Sequence, residues 1–265
     1  MLRAILQRLA RGRSFKRRLP GRFGHTPLFV SPDAQLKYLK PGGGAFDAEL
    51  LRVIEENIRE DSIVWDIGAN IGVFAFGAAS IATKGSALAV EADIWLAQLI
   101  RRSIGLKANR GLNVQVLPCA MADRNGIATF VIAQRGRASN FLEAAGGGRT
   151  QAGGEREKVT VPTLTLDTLL DSFAAPTFLK IDVEGAEAMV LRGAAKLLST
   201  VRPTIYIEVG RSANVEVTQI LRENRYLLFD GSTPWQKQTP LEACAWNTMA
   251  VPEEVAKVGQ GGRAT

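Results

Sequence analysis

The stretch Val64-Trp65-Asp66-Ile67-Gly68-Ala69-Asn70-Ile71-Gly72 constrains this chain more than any other. Apolar residues run into an acid, and two glycines then follow four apart. The pattern predicts a buried strand that turns straight into a helix. Only glycine accepts so tight a turn and leaves room for a ligand beside the backbone. Such a layout puts a small-molecule pocket at the carboxyl end of the first strand of an α/β sheet. A dinucleotide-binding turn would read G-x-G-x-x-G, its second glycine making room for a pyrophosphate. Here Ala69 and Asn70 fill that space, and Asp66 precedes the turn. A carboxylate there repels a pyrophosphate but suits the amino group of a methionine moiety. The ligand expected is S-adenosylmethionine (SAM), held by Asp66, Gly68, Asn70 and Gly72. The plain alternative, a strand–helix turn with no ligand, leaves an acid without a use at the end of a buried strand.

A second set of motifs names a family. Phe178-Leu179-Lys180-Ile181-Asp182-Val183-Glu184-Gly185-Ala186-Glu187 is followed by Met189-Val190-Leu191-Arg192-Gly193-Ala194. Val161-Pro162-Thr163-Leu164-Thr165-Leu166-Asp167-Thr168-Leu169-Leu170 lies upstream, and Ile205-Tyr206-Ile207-Glu208-Val209 downstream. Together with Asp66-Ile67-Gly68-Ala69-Asn70-Ile71-Gly72, these blocks resemble the FkbM family of SAM-dependent methyltransferases over residues 45–252. The resemblance implies a class I, Rossmann-like methyltransferase fold: a mostly parallel seven-stranded sheet with helices on both faces. It also implies, most often, methylation of an oxygen. Three parts are expected: a basic arm and small hairpin over 1–45, the methyltransferase domain over 46–252, and a disordered tail over 253–265.

The net charge of +7 is not spread over the chain. Residues 1–22 hold eight basic residues and no acid, which leaves 25 basic against 26 acidic residues elsewhere. Leu2, Ile5, Leu6 and Leu9 fall at helical spacing among arginines, so the segment suits an anionic membrane surface. A nucleic acid, an acidic partner, a solvated arm or a packed first helix are the alternatives. The arm carries none of the motifs and is expected to be dispensable for chemistry. No apolar run reaches the ~18 residues of a membrane span. The first twenty residues lack the apolar core of a secretory signal. Cys119 and Cys244 have neither metal nor disulfide spacing, so a cytoplasmic protein, at most peripheral to a membrane, is expected.

Periodicity places the remaining elements. Residues 28–30 and 36–39 read as a hairpin around Ser31-Pro32-Asp33, and 46–58 as a helix before the first strand, 62–67. Further strands are expected at 87–90, 114–117, 127–132, 178–182, 204–208 and 226–229, with helices at 71–82, 95–106, 185–198 and 215–224. A last strand over 246–251 would lie antiparallel between the fifth and sixth. Glu91 closes the second strand, where an acid receives the two ribose hydroxyls of a nucleoside; Asp93 reads as the N-cap of the next helix. Met121 or Ala122 could pack on an adenine ring, or Met121 could be ordinary core. Residues 134–157 read as an irregular loop, either a substrate lid presenting Ser139, Asn140 and Phe141 or a surface insertion.

Methyl transfer from a sulfonium needs alignment and exclusion of water. A neutral hydroxyl must also lose its proton. The single histidine, His25, precedes the fold, so carboxylates and lysine are the candidates. Strand alternation points Lys180, Asp182 and Glu184 the same way, with Glu208 on the neighbouring strand. Asp182 is the first candidate for the reacting centre, Glu208 the second, and Lys180 a partner that holds one of them ionised. A hard divalent metal at these carboxylates is the alternative, not favoured. Glu187 reads as a helix-start acid. The acceptor expected is a hydroxyl of a sugar, glycan or secondary metabolite. Two other functions stay open: a non-catalytic SAM-binding scaffold, and a nucleic-acid methyltransferase. Against the latter, Asp182-Val183-Glu184-Gly185 stands where an Asn/Asp-Pro-Pro-aromatic run would be, and its charge opposes a phosphate backbone.

Overall fold

The computed structural model describes residues 11–146 and 153–261. In chain order the strands are β1 (Phe15–Arg18), β2 (Pro27–Val30), β3 (Ile63–Ile67), β4 (Ser86–Val90), β5 (Val114–Leu117), β6 (Ala120–Met121), β7 (Gly126–Ala133), β8 (Phe141–Leu142), β9 (Glu155–Leu164), β10 (Phe178–Ile181), β11 (Thr204–Glu208), β12 (Tyr226–Asp230) and β13 (Asn247–Pro252). The α-helices are α1 (Ala48–Asn57), α2 (Val73–Ile81), α3 (Ile94–Ile104), α4 (Leu166–Leu169), α5 (Glu187–Arg192), α6 (Asn214–Glu223) and α7 (Glu253–Gly261).

The central sheet has seven strands in the order β12-β13-β11-β10-β3-β4-β5. β13 is antiparallel to both β11 and β12, and the other pairings are parallel. This is the class I methyltransferase order that the motifs implied, including the antiparallel strand between the fifth and sixth. The inner strands β3, β10 and β11 carry apolar residues on both faces, as a sheet covered by helices on both sides requires. Val64, Phe178 and Tyr206 face one apolar cluster, and Trp65, Leu179 and Ile205 face the other. Strand order reverses between β3 and β10, so their carboxyl ends open a crevice suited to ligands.

The N-terminal hairpin differs from the sequence expectation. β2 pairs with β1, Phe15 opposite Val30, while Leu36–Leu39 forms a short 3-10 turn. Leu19 and Phe23 are buried against Gly77 of α2 and join the core cluster of that sheet face. The Phe29 backbone N–H donates to Ser103 Oγ at 2.9 Å, which docks the hairpin on α3. The second half of the basic segment is therefore docked on the domain through Leu19. Arg17 Nε donates to the Tyr38 carbonyl at 3.1 Å, and Arg22 pairs with Glu55 at 2.7 Å. Leu2, Ile5, Leu6 and Leu9 lie outside the described residues. Among the described residues no helix is long and apolar enough to cross a membrane.

The stretch 134–157 also differs. Its end is the start of β9, a ten-residue strand that pairs antiparallel with β7 in a four-stranded sheet ordered β6-β9-β7-β8. Val159, Val161 and Thr163 alternate as a half-buried strand does, but the Gly- and Arg-rich run before them obscured the pattern. The long helix expected after β10 is broken into α5 and a π-turn at Leu197–Val201. At the carboxyl terminus α7 packs Ala256 into the core where a disordered tail was expected; residues 262–265 lie outside the described residues.

Candidate active site

Asp66 ends β3 fully buried, opposite Lys180 of β10. Lys180 Nζ lies 3.1 Å from Asp66 Oδ1, 3.3 Å from Asp182 Oδ2 and 3.4 Å from the Gly68 carbonyl. Asp66 Oδ2 accepts the Ala75 backbone N–H at 3.1 Å, which ties α2 to the strand. Burial pushes the Asp66 carboxyl up, and Lys180 opposes the shift. Burial alone would lower the Lys180 ammonium, but Asp66 and Asp182 outweigh it and hold it above its ordinary range. Asp66 lines neither cavity described below. Its carboxylate, expected at a ligand's amino group, is paired with Lys180, as a buried carboxylate needs a counter-ion.

The turn after β3 divides its glycines between two duties. Gly68 has φ +75°, and a Cβ there would sit 1.9 Å from the Asp182 carbonyl oxygen, so β10 demands glycine at this point. Gly72, at φ +85°, caps α2, and a Cβ there would meet Phe76 and Ile100; it lines neither cavity. Asn70 takes a left-handed φ of 54°. Its backbone N–H donates to Glu91 Oε2 at 2.7 Å, and its Oδ1 is buried with no hydrogen-bond partner.

Glu91 follows β4, almost wholly buried. Its Oε1 accepts the Asp93 N–H at 2.8 Å, and Asp93 in turn caps α3 through the Trp95 N–H at 2.9 Å, as its position suggested. Burial first, then the Asp93 carboxylate, push the Glu91 carboxyl up to about 8. Each carboxylate oxygen has a second lone pair left for a ligand.

Two cavities open at this end of the sheet. The larger, of about 280 Å³, runs from Gly68 and Asn70 past Glu91 and Met121 to Phe141. The smaller, of about 160 Å³, lies between α1 and the sheet, against Tyr38, Phe46, Glu49 and Tyr206. Gln35, Gly68, Asn70, Asp182 and Glu208 line both. The two catalytic candidates therefore stand where the cavities meet, brought there by β10 and β11. Burial, then Asp182, raises the Glu208 carboxyl to about 7, and burial, then Asp182 and Glu208, raises Glu184 to about 8. Glu187 starts α5, and its Oε1 accepts the Gly185 N–H at 3.1 Å, the local capping role expected of it. His25 lines neither cavity. Among the described residues no three His, Cys, Asp or Glu side chains are placed to hold a metal ion.

Ser139, Asn140 and Phe141, expected either at the acceptor or in a surface insertion, wall the larger cavity on the Glu91 side. A buried ionic network holds them there. Arg137 reaches Asp33 Oδ2 at 3.1 Å and Asp93 Oδ2 at 2.5 Å, and its guanidinium lies 4.7 Å from the Trp95 ring centre. Asn140 Nδ2 donates to Asp93 Oδ2 at 2.8 Å, and Arg156 meets Asp33 at 3.0 Å. Sequence reasoning missed Gln35, Tyr38, Glu49, Arg137 and Asn247. None lies in a motif; three precede the first sheet strand, and only folding brings them to the crevice. The usable signal was weak, an acid at Asp33 in a turn and a capping acid at Asp47.

Comparison with known proteins agrees with this geometry. The profile of the methyltransferase FkbM domain matches residues 66–228. Hexuronic acid methyltransferase AglP of Haloferax volcanii is 26% identical over 192 residues, which span 67% of this chain and 68% of the relative. The crystal structure of methyltransferase FkbM from Methylobacillus flagellatus has a TM-score of 0.47 at 18% identity, covering 73% of this chain and 44% of that one. This chain thus spans less than half the length of that structure. Precorrin-6y C5,15-methyltransferase of Geobacter metallireducens has a TM-score of 0.44 at 12% identity, covering 76% of this chain and 85% of that one. With the match running from the acid of β3 to the middle of β12, this chain belongs to the FkbM methyltransferase family.

Proposed function

We propose that the chain transfers a methyl group from SAM to a hydroxyl of a sugar, glycan or secondary metabolite. The observation that carries this reading is the meeting of the two cavities at Asp182 and Glu208. The larger cavity suits SAM by its donor set. Glu91 is an acceptor for ribose hydroxyls; Val90, Ala92, Met121 and Phe141 offer apolar walls for a flat base; the orphan Asn70 Oδ1 awaits a donor. SAM brings an already activated methyl group on a sulfonium. The residues then have to align the acceptor, exclude water and take a proton.

Glu208 is the better base of the pair. A carboxyl near 7 is part-ionised at neutral pH and strong enough to take a hydroxyl proton on Oε as the oxygen reacts. Asp182, paired with Lys180, holds a fixed negative charge that orients the hydroxyl. This reverses the order the sequence suggested. That the AglP relative is a hexuronic acid methyltransferase supports a sugar as acceptor.

The test is methyl transfer from labelled SAM to pooled cell extracts, beside calorimetry of SAM binding. Label transferred to a hydroxyl upholds the reading. SAM binding without transfer would return the chain to a non-catalytic module, and absence of SAM binding would remove the cofactor.

A further inference from the structure

We infer that the acceptor is a neutral or amino-bearing polyol, not a carboxylated one. The inference rests on the methyl-transfer reading above, with the smaller cavity as the acceptor site.

Asp47, Glu49, Asp182 and Glu208 all line that cavity. Its cations are already engaged. Lys180 is shared between Asp66 and Asp182, and Lys37 Nζ lies 3.6 Å from Asp47 Oδ2. Among the described residues no arginine lines it. Two of its neutral donors are also committed: the Tyr206 hydroxyl donates to Glu49 Oε1 at 3.2 Å, and Asn247 Nδ2 donates to the same oxygen at 2.8 Å. At the junction with the larger cavity, Gln35 Oε1 and Asn70 Oδ1 are buried with no hydrogen-bond partner.

This wall offers oxygens and asks for donors. A carboxylate can only accept. Entering here it would add a negative charge to a wall of four carboxylates whose lysines, Lys37 and Lys180, are already paired, and burying a charge without a partner is costly. A hydroxyl or an ammonium donates, and so satisfies the orphan Gln35 Oε1 and the carboxylates together. The site thus rejects a uronate by repulsion and unmet hydrogen bonds, the two usual means of discrimination.

The experiment uses the full chain, methyl-labelled SAM and pooled extracts. Labelled glycans are hydrolysed to single sugars, and the products are separated by ion exchange at neutral pH. Label is expected in the neutral or cation-retained fractions, above the anion-retained fraction by roughly tenfold or more. Label concentrated in the anion-retained fraction overturns the inference while leaving methyl transfer standing. No label in any fraction overturns both. With the labelled acceptor in hand, Glu49→Gln should raise its KM by about fivefold, the worth of one hydrogen bond, and leave the KM for SAM unchanged. An unchanged acceptor KM removes Glu49 from the acceptor site and with it this account of the wall.

Discussion

Lys180 Nζ stands 3.1 Å from Asp66 Oδ1, across the pairing of the two strands that border the crevice. The pair is buried on both sides, and Lys180 also lies 3.3 Å from Asp182 Oδ2. Breaking a buried pair leaves an uncompensated charge and costs about 3–5 kcal/mol. Asp66→Asn should therefore destabilise the fold strongly in chemical denaturation. The double variant Asp66→Asn, Lys180→Met should cost clearly less than the two single changes added together. Simple additivity would show that the two side chains do not act as a pair.

Gly68 and Gly72 should respond differently to alanine. At Gly68 the new Cβ would meet the Asp182 carbonyl at 1.9 Å, and a backbone atom at a strand end cannot step aside. At Gly72 the nearest atom, in the Phe76 ring, is 3.1 Å away, so the change costs mainly the strain of φ +85°, about 1–2 kcal/mol. Thermal melting should show Gly68→Ala to be the more damaging by a wide margin. Equal losses would mean the turn relaxes.

On the proposed reading, Glu208 should set the acid limb of the pH profile. Its carboxyl is raised to about 7, so the base is lost by protonation as pH falls through that value. The rate should rise with pH around a midpoint near 7. Glu208→Gln should lower kcat by roughly 10²–10⁴ and abolish that limb, while SAM still binds by calorimetry. Asp182→Asn should slow turnover less and keep the limb. A profile unchanged in Glu208→Gln would move the base elsewhere.

Glu91 links pH to stability. In the unfolded chain its carboxyl ionises near the ordinary value of 4.5, and in the fold near 8. A raised carboxyl favours the folded state when protonated. Its contribution is whole below 4.5 and is lost as pH rises through about 8. Glu91→Gln should flatten the decline of Tm across that window, even though it starts lower for want of one acceptor oxygen. Glu91→Ala should weaken SAM binding by about 1–3 kcal/mol in calorimetry.

Arg137 joins Asp33, ahead of the main sheet, to Asp93 at the start of α3. Arg137→Ala strips Asp93 of its ion pair and should raise the KM for SAM more than it lowers kcat. Restoration by Arg137→Lys should be partial, since lysine cannot span two carboxylates as a planar guanidinium does. A KM unchanged in the alanine variant would show that the network does not shape the larger cavity.

Local chemistry determined much of this protein directly. The run Asp66 to Gly72 has little option but strand, turn and helix, because a buried strand end runs into three positive-φ positions, Gly68, Asn70 and Gly72. The alternating apolar faces of β3, β10 and β11 place Lys180, Asp182 and Glu208 at one end of one sheet, and that much is legible from period two. Glu91 follows from the spacing of a second strand. What the sequence could not decide is which groups meet. The sequence does not show that β10 puts Lys180 against Asp66, or that α3 puts Ile100 beside Gly72. Gln35, Glu49 and Asn247 come from distant parts of the chain, and their neighbourhood is created by packing across the crevice. Only the tertiary structure could show that the two cavities share a wall, because a shared wall is a property of which elements lie side by side.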